Sequence, residues 1–265
     1  MDLVEITEHI DALRLQGTLL ADAAERAGLD ATVPPCPSWQ VKDLLRHTGY
    51  IHRWAARHLT ERPAQILEGP TEAEILAGGA PDAELVSWFR AGHAALVQTL
   101  QDADPGLDCP AFMPAPSPLA FWARRQAHET AIHHADAQSA SAAVPVYAPR
   151  FAADGIDELI MGFGRRRKYQ PAAGVDGGRL HVAAVDTGDE WLIDARDGRM
   201  QPRRRDAEEP ADAGAVTSAC TVRGPAAAVY LYLWNRADAA QPGIAITGNA
   251  DLLACWQSSV RVRWG

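Results

Sequence analysis

The chain has 265 residues, enough for one large domain or two small ones, and 47% hydrophobic with 22% charged residues is ordinary globular composition. A net charge of -9 weighs against nucleic acid or an anionic membrane as partner. No apolar run approaches the roughly 18 residues of a membrane span, and Met1-Asp-Leu-Val-Glu5 lacks a basic leader, so a cytoplasmic protein is expected.

Residues 2–28 read as a first helix, with Leu3, Ile6, Ile10, Leu13, Leu20 and Ala24 near a 3.6-residue period and Gly28 at the stop. A proline-rich lead then ends near Ser38–Gln40, where a second helix begins and runs to about residue 60. Asp43 sits in its first turn, favoured by the positive end of the dipole. Val41, Leu44, Leu45, Thr48, Ile51, Ala55 and Leu59 form its apolar stripe. His47 and His58 flank that stripe on one side and His52 flanks it on the other, and helical geometry does not choose among them as ligands. Residues 61–80 form a long connection with one short helical piece, the kind of segment often given to function. Pro81-Asp82 opens a third helix through Leu100, and the proline-rich stretch 104–116 leads to a fourth.

The fourth helix carries the chemistry. Ser117 offers an N-cap, Pro118 the first helical position, and nothing breaks the run before about Ser141. Trp122, Gln126, Glu129 and His133 fall on one face, so the Glu129 carboxylate and the His133 imidazole are stacked neighbours able to converge on one cation. That spacing suits two ligands to a divalent metal such as zinc. By itself Glu-x-x-x-His is a weak signal and is more often a solvated or salt-bridged helix face.

Beyond it, residues 148–164 read as a connecting helix, and Arg165-Arg-Arg-Lys168 is a basic cluster suited to a hinge or a carboxylate. The period then becomes alternating. Residues 179–185 and 190–194 read as a hairpin around Asp186-Thr-Gly-Asp189, 206–214 as an acidic loop and 217–223 as a third strand. Residues 226–236 and 248–256 read as helices, and 260–264 as a last strand. The fold class is α+β, a four-helix bundle over residues 1–145, a connection over 146–175 and a small α/β domain over 176–265. Cys36, Cys109, Cys220 and Cys255 form no Cys-x-x-Cys pair and read as reduced thiols. Cys36 lies just ahead of a helix start, where a thiolate is favoured.

Two blocks, Cys36-Pro-Ser-Trp-x-Val-x-Asp-Leu-x-x-His47 and Arg125-x-x-x-Glu129-x-x-x-His133-x-x-Asp136, together resemble the mycothiol-dependent maleylpyruvate isomerase family of the DinB-like metal-binding superfamily. The resemblance extends over most of the chain and implies a sterol-carrier-like C-terminal domain. It implies a zinc ion, or another divalent metal, held by His47, Glu129 and His133, with His134 and Asp136 placed to support the ligands. It also implies mycothiol as a thiol cosubstrate and a small electrophile that is isomerised or accepts the thiol. A zinc-dependent hydrolase and a non-catalytic metal- or ligand-binding protein are the alternatives on the same scaffold. The family pattern has an arginine for the substrate carboxylate between the second and third helices. Here Gly69–Gly79 carries glutamates and no arginine, which leaves Arg53, Arg62, Arg90 and Arg125 as substitutes and Arg53 and Arg125 as candidate catalytic cations. Only two lysines, Lys42 and Lys168, and abundant alanine and arginine suggest a high-GC genome, compatible with an actinobacterial source.

Overall fold

The computed structural model describes residues 4–166, 177–206, 218–238 and 242–262. The chain divides into two compact units, a helical one spanning Val4–Pro145 and a mixed one from Val146 onward. Among the described residues no helix is long and apolar enough to cross a membrane.

The helical unit is built from four long helices, α1 (Ile6–Ala27), α2 (Val41–Glu61), α4 (Leu85–Asp102) and α5 (Pro118–Ser139), with the short α3 (Glu72–Ala77) between α2 and α4. Each start follows from its sequence. Glu5 with Glu8, and Gln40 with Asp43, form reciprocal capping boxes, and the Ser117 hydroxyl accepts from Ala120 N–H at 3.1 Å ahead of Pro118. The short α3 has its own box, Thr71 with Glu74. The expected third helix begins as a 3₁₀ turn at Asp82–Glu84 before α4. Packing pairs α1 mainly with α5 and α2 mainly with α4. Leu20, Leu44, Leu45, Leu85 and Phe89 meet in one apolar core that also takes in Val33 and Trp39 of the α1–α2 loop. Almost every residue of α5 from Leu119 to Ala137 is buried, polar ones included. A helix buried on all sides must satisfy its polar groups internally, which makes its charged residues the informative ones.

In the mixed unit, α6 (Pro149–Asp157) continues as a π-helical stretch over Glu158–Phe163. The sheet comprises β1 (Gly178–Ala184), β2 (Asp189–Arg196), β3 (Arg199–Arg204), β4 (Ser218–Gly224) and β5 (Ala245–Gly248), in the order β3-β2-β1-β4-β5. β1 pairs antiparallel with β2 and parallel with β4, and the outer pairs are antiparallel. Helices α7 (Ala226–Leu233) and α8 (Ala250–Ser259) both contact β1 and β4. Two strands depart from the expected elements. β3 follows β2 through Asp197-Gly198, both at positive φ (52° and 68°), the two-residue turn that suits a twisted hairpin. The short β5 completes the other edge. The expected last strand is absent at 260–262, where the chain is irregular, and its remainder lies outside the described residues, as do the 207–214 loop and Arg167-Lys168. Arg165 donates to the Pro202 carbonyl at 3.0 Å. Buried Asp157 anchors the sheet to α6, accepting from Trp191 Nε1 at 3.0 Å and twice from Arg204 at 2.7 Å.

Candidate metal centre

Three side chains from α2 and α5 converge inside the helical unit. His47, Glu129 and His133 are each at most 2% exposed, and their ligand atoms lie within 4.8 Å of one another. The Glu129 Oε1 atom is 3.1 Å from His133 Nε2 and 3.6 Å from His47 Nε2. The one-turn spacing on α5 puts Glu129 above His133, and the close approach of α2 supplies His47 from across the interface.

The surroundings sort the remaining polar groups. The other carboxylate oxygen, Oε2, accepts from Arg125 Nη2 at 3.0 Å, in a pair whose side chains are 1% and 2% exposed. Asp136 Oδ2 lies 3.0 Å from His133 Nδ1, which orients the ring and turns Nε2 toward Glu129 Oε1 and His47. The Trp39 ring packs on His47 at 4.9 Å between centroids, and its indole N–H donates to Glu72 at 2.8 Å. Half-buried Cys36 approaches Asp136, with Sγ 4.0 Å from Oδ2.

These contacts set the charge states. Burial alone would raise the Glu129 carboxyl, but the hydrogen bond from His133, the nearby His47 ring and the Arg125 charge outweigh it and hold the group well below the usual carboxylate range. Burial would lower His133, yet Asp136 and Glu129 lift it to about 9. His47 is pushed down by burial, against the pull of Glu129. Two carboxylates thus draw positive charge onto one imidazole, and a second imidazole beside it stays neutral. Two imidazole nitrogens and a carboxylate oxygen, dry and within reach of one point, are a donor set that zinc accepts, with coordination positions left over. The residues fit such an ion.

The other candidate histidines of α2 are engaged elsewhere. His52 Nε2 lies 2.8 Å from Thr130 Oγ1, while His58 sits between the Trp54 carbonyl (2.8 Å) and Leu67 N–H (3.0 Å). His134 is turned from the ligands: its Nδ1 is 2.7 Å from Gln16 Oε1 and its Nε2 is 3.0 Å from Gln138 Nε2. Of the two residues placed to support the ligands, Asp136 contacts one and His134 bonds the two glutamines. The candidate cations also differ. Arg125 holds Glu129, whereas Arg53 donates to the Gly49 and Trp88 carbonyls and lies 3.8 Å above the Trp88 ring. Arg90 is paired with Asp22 and Glu25. Trp39 is the neighbour whose role the sequence left unassigned, although it stands just ahead of the α2 N-cap within a block that ends at His47.

A cavity of about 570 Å³ adjoins the centre, with His47 in its wall together with Tyr50, Ile51 and Trp54 of α2 and the 69–75 segment. Its size is that of small-molecule sites generally.

Comparison with known proteins bears on the whole arrangement. Residues 10–138 match the mycothiol maleylpyruvate isomerase N-terminal domain, and residues 150–254 match the MDMPI C-terminal domain. The fold is similar to crystal structures of the mycothiol-dependent maleylpyruvate isomerase. A histidine-to-alanine mutant of that enzyme aligns with TM-score 0.63, and a second structure of the enzyme with TM-score 0.59. Both are 14% identical to this chain, and each alignment covers 92% of this chain and 93% of the other. No curated protein matches. Both halves of the sequence carry the domains of one family, in the same order and over the same fold, and the chain belongs to the mycothiol-dependent maleylpyruvate isomerase family.

Proposed function

We propose that this protein is a divalent-metal-dependent enzyme that adds mycothiol to a small electrophile, releasing either the thiol adduct or, after elimination, an isomer. The observation that carries this reading is the convergence of His47, Glu129 and His133 on one point beside a cavity, in a chain of this family. Zinc, or another divalent metal, held by those three residues would acidify a thiol brought to it, so that the reactive thiolate is available at neutral pH.

The residues of the chain do the rest. Asp136 keeps the His133 proton on Nδ1, so Nε2 faces the centre. Arg125 neutralises the outer oxygen of Glu129 and fixes the carboxylate rotamer. Trp39 holds the His47 ring and excludes water from that side. The electrophile occupies the cavity along α2, its reacting carbon toward His47. A sulfur–carbon bond forms as the alkene π bond opens, and the thiol proton ends on the neighbouring carbon. Rotation about the new single bond followed by the reverse elimination returns the thiol and yields the other geometric isomer, with no change in oxidation state.

The test is turnover of a panel of activated alkenes by the purified protein with mycothiol, followed by loss of free thiol for adducts and by chromatography of the geometric isomers for isomerisation. Turnover that needs both mycothiol and metal, and that stops with a chelator, supports the reading. Substrate cleavage by water without thiol would replace it with a metal-dependent hydrolase, and metal binding without turnover with a binding protein.

A further inference from the structure

The wall of the cavity beside His47 has an unusual chemistry for a family that takes its name from an acidic substrate. Ile51, Trp54, Pro70 and Ile75 supply apolar surface, and Glu72 supplies a carboxylate. Among the described residues, no lysine or arginine lines it. The cations of α2 are committed elsewhere: Lys42 to Asp30, Arg46 to Asp82, Arg57 to Glu61, and Arg53 to backbone carbonyls under Trp88. Away from the His47 end, where a metal would sit, a carboxylate on the body of a ligand would leave water for a wall with no lysine or arginine and one like charge, which costs more than the apolar contact returns.

On the same wall, Tyr50 keeps a hydroxyl that can still donate a hydrogen bond. Tyr50 stands one turn after His47 on the same side of α2, and its hydroxyl makes no hydrogen bond among the described residues. An ideal Cβ on Gly69 would sit 3.1 Å from that hydroxyl, so glycine there lets the 69–75 segment close over the phenol. Burial also raises the phenol above its ordinary value, against the Arg57 charge, which keeps it a donor at neutral pH.

We propose that the cavity takes an uncharged, unsaturated carbonyl compound with an apolar body, and that Tyr50 donates a hydrogen bond to its carbonyl oxygen. The assignment rests on the thiol-transfer reading above for its chemistry, though not for its binding. In the reaction the thiolate sulfur bonds to the β-carbon, the alkene electron pair moves toward the carbonyl oxygen held by Tyr50, and the thiol proton is delivered to the α-carbon as the carbonyl reforms.

A matched pair of ligands tests this: 4-phenylbut-3-en-2-one and its para-carboxylate, alike at the alkene and different only in charge at the far end. Mycothiol consumption gives kcat/KM for each, and calorimetry with the two saturated ketones, which do not react, gives affinity alone. The neutral compound is expected to lead by about tenfold or more in both measurements, the order of penalty for a carboxylate against an apolar wall. Tyr50→Phe should weaken binding of the neutral ketone roughly three- to tenfold, the worth of one hydrogen bond. Ala73→Arg, at an exposed position of α3 on the cavity wall, should narrow or reverse the preference. Equal or better binding of the carboxylate by the wild type, or an unchanged affinity in Tyr50→Phe, overturns the inference. Selective binding of the saturated neutral ketone with neither consumption of mycothiol nor isomerisation of the alkene supports the cavity assignment and overturns the thiol-transfer reading.

Discussion

Glu129→Gln separates the role proposed for that carboxylate, metal ligand, from its role as counter-ion to Arg125. The Arg125–Glu129 pair is 3.0 Å long with both side chains essentially dry. Removing one member of a buried ion pair costs about 3–5 kcal/mol, because the remaining charge keeps its desolvation penalty. Glutamine keeps a carbonyl oxygen for the guanidinium, so the lower end, about 3 kcal/mol, is the expected loss for metal-free protein. At roughly 2–4 °C per kcal/mol for a unit of this size, the melting point should fall by about 6–12 °C. Replacing both members is different: Arg125→Met with Glu129→Gln removes the stranded charge and should recover all but about 1 kcal/mol. Neither variant should retain metal, since each lacks the carboxylate. Thermal melts of chelator-treated protein, followed by circular dichroism and paired with metal analysis, read both quantities. A single variant as stable as wild type, or a double variant no more stable than the single, would refute the reasoning.

Asp136→Asn keeps the shape beside His133 Nδ1 and removes the charge that orients the ring, so metal affinity should drop roughly 10–100-fold in a chelator competition titration. Gly17→Ala brings a Cβ to 2.3 Å from the His93 ring, which is itself held at 2.9 Å by the Leu13 carbonyl. Overpacking of about 1–3 kcal/mol exceeds the helix gain of about 1 kcal/mol, so urea denaturation should show a net loss. Burial lowers the pKa of both His52 and His93 below the ordinary imidazole value. The unfolded chain therefore takes up their protons first. Stability should be unaffected by these groups above about pH 6.5 and should fall below it, by up to about 1.4 kcal/mol per pH unit for each. His93→Asn should flatten the stability slope between about pH 6.5 and 5; an unchanged slope would contradict the assignment.

The helical unit was largely legible because its punctuation is local. Ser117-Pro118 and the Gln40–Asp43 box mark starts that the hydrophobic period then carries forward. Glu129 and His133 could be paired from spacing on one helix, whereas the partner from α2 could not, because the angle at which two helices cross is a property of packing. His47, His52 and His58 all border the same stripe; the family resemblance singled out His47, while the contacts with Thr130 and Leu67 show where His52 and His58 are engaged. His134 misled for the same reason: adjacency to a ligand in sequence turns a side chain about 100° away on a helix, here toward Gln16. In the sheet, β3 was missed although Asp197-Gly198 is a strong hairpin signal. Its residues, Arg199-Met-Gln-Pro-Arg-Arg204, lack strand propensity, and a proline is tolerated there because the strand lies at the edge. β5, four residues long, offers no period to read.

The most direct test of the metal centre is the metal content of the purified protein by mass spectrometry, for the wild type and for His47→Ala, Glu129→Ala and His133→Ala. Near-stoichiometric zinc or another divalent metal in the wild type, lost in all three variants, is the predicted result. A wild type without bound metal, or a His47→Ala variant that keeps it in full, would contradict the account.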